Sequence, residues 1–352
     1  MAGESNPNYH RLHVRAVMDE TADCKSLVFD VPPELAAAFA YKPGQFLTLR
    51  LPVNGRHVRR CYSMSSAPAT DDAPRVTIKR VAQGLGSNWI CDHIKAGDGI
   101  EVLPPSGMFT PHAGLDDNFL LLAGGSGITP VFSILRSALH QGSGRIVLLY
   151  MNRDESSVIF RKELMALAAT YPTRLQIIHW LDSVQGVPSL AQLAELARPF
   201  ADGHAFICGP GPFMDASVEA LRAIEMPSEH IHVERFMSLP DEEDTAQFNA
   251  AADTDAAASV IAEAQVELLL DGEVHQLACS GGQTILDAAL AAGIAAPHSC
   301  QAGMCASCMC RVVEGSVHLR HNEVLDKKDL AKAWTLACQA LPTSTRVRVE
   351  FP

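Results

Sequence analysis

Cys300, Cys305 and Cys308 follow one another as C-x4-C-x2-C, with a fourth cysteine, Cys338, 30 residues beyond the third. This spacing lets a single loop wrap thiolates round a core of two irons and two sulfides. Such a loop needs small residues that leave backbone N–H groups free to point at sulfur, and Ala302, Gly303, Ala306 and Ser307 supply them. A structural zinc site also takes four cysteines but usually as two close pairs, and Cys338 has no close mate. Cys310, which alternates away from Cys308 on the emerging strand, is expected to be a packed apolar residue and not a fifth ligand.

Ten cysteines in 352 residues are too few for a disulfide scaffold, and four of them crowd between Cys300 and Cys310, which points to a metal. At 47% hydrophobic and 19% charged, the chain can bury the cores of two or three domains, so a single small binding module is excluded. A net charge of -12, from 28 Lys and Arg against 40 Asp and Glu, argues against a nucleic-acid partner, since neutralising phosphates takes basic residues. The opening MAGESNPNYHRLHVRAV lacks a basic region followed by an apolar stretch, and no later run reaches membrane-spanning length. A cytoplasmic protein with no membrane insertion is expected.

The pattern changes twice along the chain. Over residues 9–113, short strands are separated by turn signals; GQFLTLRLP sets Leu47, Leu49 and Leu51 on one face, and RVTIKRV alternates likewise. That predicts an antiparallel β-barrel. Over residues 114–236, the apolar strands FLLLAG, RIVLLY, LQIIHWL, AFICGP and IHVERF alternate with amphipathic stretches such as SLAQLAELARPF. That predicts an α/β unit with a parallel sheet. Residues 237–262 are acidic and Ala-rich without hydrophobic periodicity, and read as a linker. Over residues 263–352, a hairpin around Asp271 and Gly272, a helix at TILDAALAAG, a second hairpin at CRVVEGSVHL and a closing strand at TRVRVEF predict a small α+β domain. No Lys or Arg occurs between Phe236 and Cys310, so this block is a solvating face or a docking surface.

Gly124, Gly125 and Gly127 in LLLAGGSGITPVFSIL stand after a strand and before a helix, where backbone amides and the helix dipole attract a pyrophosphate. Pro130 suits the first helical turn. Ile128 stands where a serine nucleophile elbow needs glycine, which removes that alternative. In ICGPGPFM, Cys208 either lines a nicotinamide pocket or is a buried small residue. After RIVLLY, Arg153 would clasp a ribose 2'-phosphate, whereas Asp154 and Glu155 would repel it or bond a free 2'-hydroxyl. NADH is expected, with NADPH left open by Arg153.

Arg60, Tyr62 and Ser63 in HVRRCYSMSSAP resemble the R-x-Y-S signature of the ferredoxin-NADP reductase superfamily. Gly84, Leu85, Gly86 and Ser87 in KRVAQGLGSNWI resemble its second phosphate-binding stretch, and Lys79 at the head of that string is an expected cofactor-binding residue. GGSGITP, which includes Thr129, and CGPGPF, with Gly209 and Pro210, resemble its pyridine-nucleotide motifs. The order of flavin barrel, nucleotide domain and C-terminal ferredoxin resembles the reductase components of bacterial oxygenases. HWLDSVQGVP, RCYS, FICGPGPFM and HVERF look most like reductases that serve Rieske-type steroid hydroxylases. In such relatives the position of Ala306 is often glycine.

The resemblance implies a multi-domain protein ending in a β-grasp ferredoxin domain and carrying FAD, a [2Fe-2S] cluster and NADH. It implies that Arg60 holds the flavin phosphates, Tyr62 packs on the isoalloxazine, Ser63 bonds near N5, and Glu234 and Phe236 end the nucleotide domain beside the flavin. A guanidinium fork suits phosphate oxygens and an aromatic face suits a flat ring. Ser63, Cys208 and Glu234 are the expected catalytic residues: Ser63 orients the flavin edge, Cys208 shapes the nicotinamide pocket and Glu234 assists proton balance. The implied partner is a terminal oxygenase. A reductase for a di-iron monooxygenase of the phenylacetyl-CoA type has the same expected architecture. A non-catalytic zinc or redox-sensing protein is the competing class.

Overall fold

The computed structural model describes residues 9–112, 114–235, 261–303, 305–322, 324–325 and 327–352. Phe236 and residues 237–260 of the expected linker lie outside the described residues.

The first unit is a six-stranded antiparallel sheet of β1 (His10–Thr21), β2 (Cys24–Asp30), β3 (Phe46–Val53), β4 (Arg56–Ser63), β5 (Arg75–Lys79) and β6 (Gly99–Val102), in the order β4-β3-β6-β1-β2-β5. An antiparallel bridge between Met64 and Val76 joins the two outer strands and closes the barrel, which removes the exposed edges. Leu47, Leu49 and Leu51 have no exposure and fill the interior with Leu27, Phe29 and Ile78, as the alternation requires. Asn54 and Gly55, both at positive φ, make the tight β3–β4 turn. Helix α1 (Leu85–His93) buries Ile90 and Cys91 against the barrel.

The second unit is a five-stranded parallel sheet of β7 (Phe119–Gly124), β8 (Ile146–Asn152), β9 (Leu175–Leu181), β10 (His204–Cys208) and β11 (Ile231–Glu234), ordered β11-β10-β7-β8-β9. Every residue of β7 and β8 is buried, which is why these strands read as unbroken apolar runs. Helices α2 (Ile128–Gln141), α3 (Arg161–Thr170), α4 (Asp182–Gln185), α5 (Leu190–Ala197) and α6 (Gly211–Ala223) connect them. From β7 the chain winds outward to β9 and returns to β10, so a crevice opens between the carboxyl ends of β7 and β10. Arg136 of α2 donates to Asp71 of the barrel at 2.7 Å, and Ser133 Oγ donates to the Ser66 carbonyl at 2.6 Å, locking the two units together.

The third unit contains β12 (Glu263–Leu270), β13 (Glu273–Ser280), α7 (Ile285–Ala291), β14 (Met309–Glu314), β15 (Val317–Leu319), α8 (Lys327–Ala331), β16 (Trp334–Leu336), β17 (Ala340–Pro342) and β18 (Arg346–Glu350). Its sheet runs β13-β12-β18-β14-β16, with the parallel pair β12–β18 at the centre. Asp271 and Gly272, at φ 50° and 82°, make the expected hairpin turn. Thr284 caps α7 with a reciprocal bond to Asp287. The second expected hairpin is not formed. Both edges of β14 are occupied by β16 and β18, so β15 leaves this sheet and pairs with β17.

Candidate active site

Cys338 reaches the cysteine loop through strand pairing. Met309 of β14 lies opposite Leu336 of β16, and just beyond that pair the Ala337 N–H donates to the Cys308 carbonyl at 2.9 Å. Cys300, Cys308 and Cys338 are buried and Cys305 is half-buried. The Cys300 N–H donates to Cys305 Sγ and the Ala302 N–H to Cys300 Sγ, each at 3.4 Å, while Ser307 Oγ lies 3.1 Å from Cys305 Sγ. Gln301, Gly303 and Ala306 all take positive φ, which folds the loop back so that its amides face inward. A β-carbon on Gly303 would fall 2.5 Å from the His321 carbonyl oxygen. Gln339, fully buried, donates to the Gln301 carbonyl at 2.9 Å and straps the loop down. Nothing in the sequence marked Gln339 beyond its place next to Cys338.

The thiols fall into two couples. Cys305 is raised well above the ordinary thiol range first by its bond with Cys300 and then by burial, and Cys308 first by Cys338 and then by burial. Among the described residues no three His, Cys, Asp or Glu side chains gather round a single-ion position. Together with the C-x4-C-x2-C spacing and the distant Cys338, these thiols fit a binuclear iron-sulfur centre better than the two close pairs usual for zinc. Cys310 is fully buried in the domain core, with its thiol pushed up to about 12 by burial, in line with a packed apolar residue.

On β4, alternation sends Arg60 and Tyr62 to one face with Leu49 and Leu47, and Cys61 and Ser63 to the other. The first turn of α1 closes on the first face: a β-carbon on Gly86 would lie 2.8 Å from Arg60 Cγ and 3.5 Å from the Tyr62 hydroxyl. Gly84 is the N-cap of that helix, and Ser87 Oγ accepts from the Val81 N–H at 3.2 Å. On the second face, Ser63 Oγ is buried with no hydrogen-bond partner among the described residues. An orphaned buried hydroxyl costs stability unless something fills its valence, and a polar edge of a bound flavin is the kind of group that would. Arg60, Tyr62, Gly86 and Ser63 thus fit the cofactor.

The crevice between β7 and β10 opens into a cavity of about 1150 Å³ lined by Lys79, Gly124, Gly125, Gly209 and Pro210 among others. Strand ends meet closely there: a β-carbon on Gly124 would come 2.8 Å from Pro210, and one on Gly209 2.7 Å from the Phe213 ring. Gly127 and Thr129 stand behind the cavity. A β-carbon on Gly127 would fall 2.1 Å from the Cys208 carbonyl oxygen, and Thr129 Oγ1 donates to the Ser126 carbonyl at 3.1 Å. Gly127 therefore does the helix-to-strand packing of a dinucleotide turn. Ser126, Asn152, Phe213 and Arg235 also line the space and were not singled out from the sequence.

The expectation for Asp154 and Glu155 needs correction. Asp154 caps the following turn, accepting from the Ser157 N–H at 2.9 Å; the Ser156 hydroxyl first, then the Ser157 hydroxyl and that amide, hold its carboxyl below the usual range, and Glu155 pairs with Arg161 at 2.6 Å. Neither lines the cavity; Arg153 and Asp182 do. Cys208 and Glu234 sit side by side at the ends of β10 and β11. Burial is the first cause that raises the Cys208 thiol well above its ordinary range, and desolvation pushes the half-buried Glu234 carboxyl up to about 7.

Three known domain families match in order: an oxidoreductase FAD-binding domain over residues 11–110, an oxidoreductase NAD-binding domain over 121–219 and a 2Fe-2S iron-sulfur cluster binding domain over 268–343. The ferredoxin reductase component of 3-ketosteroid-9-alpha-monooxygenase from Rhodococcus rhodochrous is 52% identical, with 97% of this chain and 96% of the relative covered. The chain belongs to the family of flavin and [2Fe-2S] oxygenase reductases. The reductase is also 48% identical to the corresponding component from Mycolicibacterium smegmatis, covering 97% and 96%. A component of the 1,2-phenylacetyl-CoA epoxidase of Escherichia coli is 34% identical, covering 97% and 98%. Phthalate dioxygenase reductase shares its fold at a TM-score of 0.58 and 24% identity, with 97% and 98% covered. The reductase is an NAD(P)H-dependent oxidoreductase whose domains bind FAD, NAD(H) and a [2Fe-2S] cluster. Among the described residues no helix is long and apolar enough to cross a membrane.

Proposed function

We propose that this reductase draws electron pairs from NADH and delivers them singly, in the cytoplasm, to the terminal oxygenase of a Rieske-type 3-ketosteroid 9α-hydroxylase. The observation that carries the electron route is the placement of the cysteine loop against β4, the strand bearing Arg60, Tyr62 and Ser63. The choice of oxygenase leans on the two relatives near 50% identity. FAD supplies the change from two-electron to one-electron chemistry, and the cluster supplies a carrier that takes one electron at a time.

The protein's part is positioning. Arg60 grips the flavin phosphates with the amides of Gly84 and Gly86 and the start of α1, where Ser87 stiffens the turn. Tyr62 packs on the flavin ring and Ser63 donates to its polar edge. Gly124, Gly125, Gly209 and Pro210 admit the dinucleotide, Lys79 faces its phosphates, and Gly127 and Thr129 hold the turn from behind. Phe236 is assigned to the flavin by resemblance alone. Cys208 shapes the nicotinamide pocket, and Glu234, with its carboxyl near neutrality, holds or releases a proton there. Cys300, Cys305, Cys308 and Cys338 hold the cluster. Asp182, a carboxylate that lines the cavity at the end of β9 where Asp154 does not, favours a free 2'-hydroxyl and hence NADH over NADPH. Domain limits of 9–113, 114–236 and 263–352 follow from this division.

Cys305→Ala abolishes cytochrome c reduction while sparing ferricyanide reduction by the flavin; equal loss of both counts against the ordering. NADH turnover with purified oxygenases tests the partner. Coupling to a phenylacetyl-CoA di-iron monooxygenase and not to a steroid hydroxylase would replace the first reading with the one that the 34% relative favours.

A further inference from the structure

The outer face of the β3–β4 hairpin carries a seam that the cofactor assignments leave unexplained. Cross-strand pairing sets Phe46 opposite Ser63 and Thr48 opposite Cys61. Thr48 points out of the barrel, yet it is 1% exposed, because the start of the cysteine loop covers it. Thr48 Oγ1 and Ser299 Oγ are hydrogen-bonded to each other, Cys61 Sγ lies 3.3 Å from Thr48 Oγ1 and 4.0 Å from Ser299 Oγ, and Ser299 is itself 2% exposed. Cys61 completes a small apolar cluster with Cys300, Ala302 and Cys305. One side chain of the flavin strand therefore packs directly on two of the four expected cluster ligands.

We propose that Cys61, seated by Thr48 and Ser299, is the positioning residue that fixes the separation between the flavin strand and the cluster, and so governs the one-electron step between them. This rests on the cofactor reading above. Residues two apart on a strand share a face and stand about 7 Å apart, so Ser63, with its unpartnered hydroxyl, and Cys61 present neighbouring points of one surface. Electron transfer falls exponentially with the gap between donor and acceptor, and interfaces between domains of one chain slide unless something pins them. Cysteine packs as a small hydrophobe, so it fills the seam while letting the loop come close to the strand. The buried hydroxyl pair beside it prevents sliding, since moving either partner leaves a buried polar atom without its bond. In the step itself one electron leaves the reduced flavin and enters the cluster; no bond to Cys61 forms or breaks.

The test compares Cys61→Leu, Cys61→Ser and Thr48→Val in the full-length protein loaded with FAD and iron. Anaerobic stopped-flow with NADH follows flavin and cluster bleaching separately, electron paramagnetic resonance of the dithionite-reduced protein reports the cluster itself, and hydrogen exchange reports the amides of residues 296–303. Cys61→Leu is expected to slow cluster reduction at least tenfold and to raise exchange in the loop, with the dithionite-reduced spectrum unchanged. Cys61→Ser is expected to restore the rate to within threefold, and Thr48→Val to slow it by a smaller factor. Cluster reduction at the parental rate in Cys61→Leu, with exchange unaltered, overturns the proposal. Should that variant lose iron or flavin, Thr48→Val decides: a parental rate and exchange pattern there overturns it equally. Failure of the underlying reading looks different, because the parent protein would then lack iron or show no flavin bleaching by NADH.

Discussion

The two cofactor regions are built in opposite ways. Three of the four proposed cluster ligands come from one loop of nine residues, Cys300 to Cys308, shaped by three positive-φ positions and its own amide bonds to sulfur. The flavin and nucleotide region is assembled from β4, α1, β7, β10 and β11, elements spread over more than 170 residues, from Arg56 to Glu234. A local site tolerates change in the body of the protein and depends on a few backbone torsions. A dispersed site depends on how closely its elements approach, so it is broken by adding atoms between them.

The largest effect expected from that difference is at Gly127. Gly127→Ala places a carbon where the Cys208 carbonyl oxygen is 2.1 Å away. The ends of α2 and β10 must separate, at a cost of about 1–3 kcal/mol, and the crevice is distorted. NADH-dependent flavin reduction should fall more than about a hundredfold, since misplacement by about an ångström costs that much. Iron content should stay at the parental level. Loss of iron in this variant would erase the contrast between the regions.

Next comes the proton at the junction of β10 and β11. With burial raising Glu234 to about 7 against an ordinary 4.5, the folded protein holds a proton between those values that the unfolded chain has released. This contribution to stability is present at low pH and disappears as pH rises from 4.5 to 7. Flavin reduction by NADH should show an inflection near pH 7 that Glu234→Gln removes, while the rate of cluster reduction from pre-reduced flavin keeps its pH profile. An inflection that persists in Glu234→Gln assigns it to another group.

The smallest effect is expected in the loop. Ala306 holds φ 54°, a left-handed conformation that costs a residue with a β-carbon about 1–2 kcal/mol. Ala306→Gly relieves this while giving the unfolded chain more freedom, for a net gain of about 0.5–1 kcal/mol. Thermal unfolding of the iron-loaded protein should move up slightly, with the absorption spectrum unchanged. A destabilised variant would show that the Ala306 side chain, buried in the domain core, contributes more by packing than its backbone loses.

The cysteine spacing, the five apolar strands and the Gly-rich turns were legible because each is written within a short window. The misreadings have one cause. CRVVEGSVHL has the pattern of a hairpin, but only the whole sheet shows that β14 is already flanked by β16 and β18. Asp154 follows a strand where a ribose would sit, but its carboxylate is claimed by the Ser157 backbone, and Asp182, 28 residues later, takes the cavity position. Gln339 carries no pattern at all, and its role as a strap exists only because β16 and β17 bring it under the loop.

Sequence by itself determined which chemistry this chain can host: thiolates at a spacing that suits two irons, glycines where phosphates approach, and alternation that selects a barrel and then a parallel sheet. Such features are set by covalent order and backbone torsion over a few residues. Tertiary structure alone decided the distances between the hosts: Cys61 against Cys305, Cys208 beside Glu234, Gly127 on a carbonyl. Those follow from packing between elements far apart in the chain, and no local window contains them.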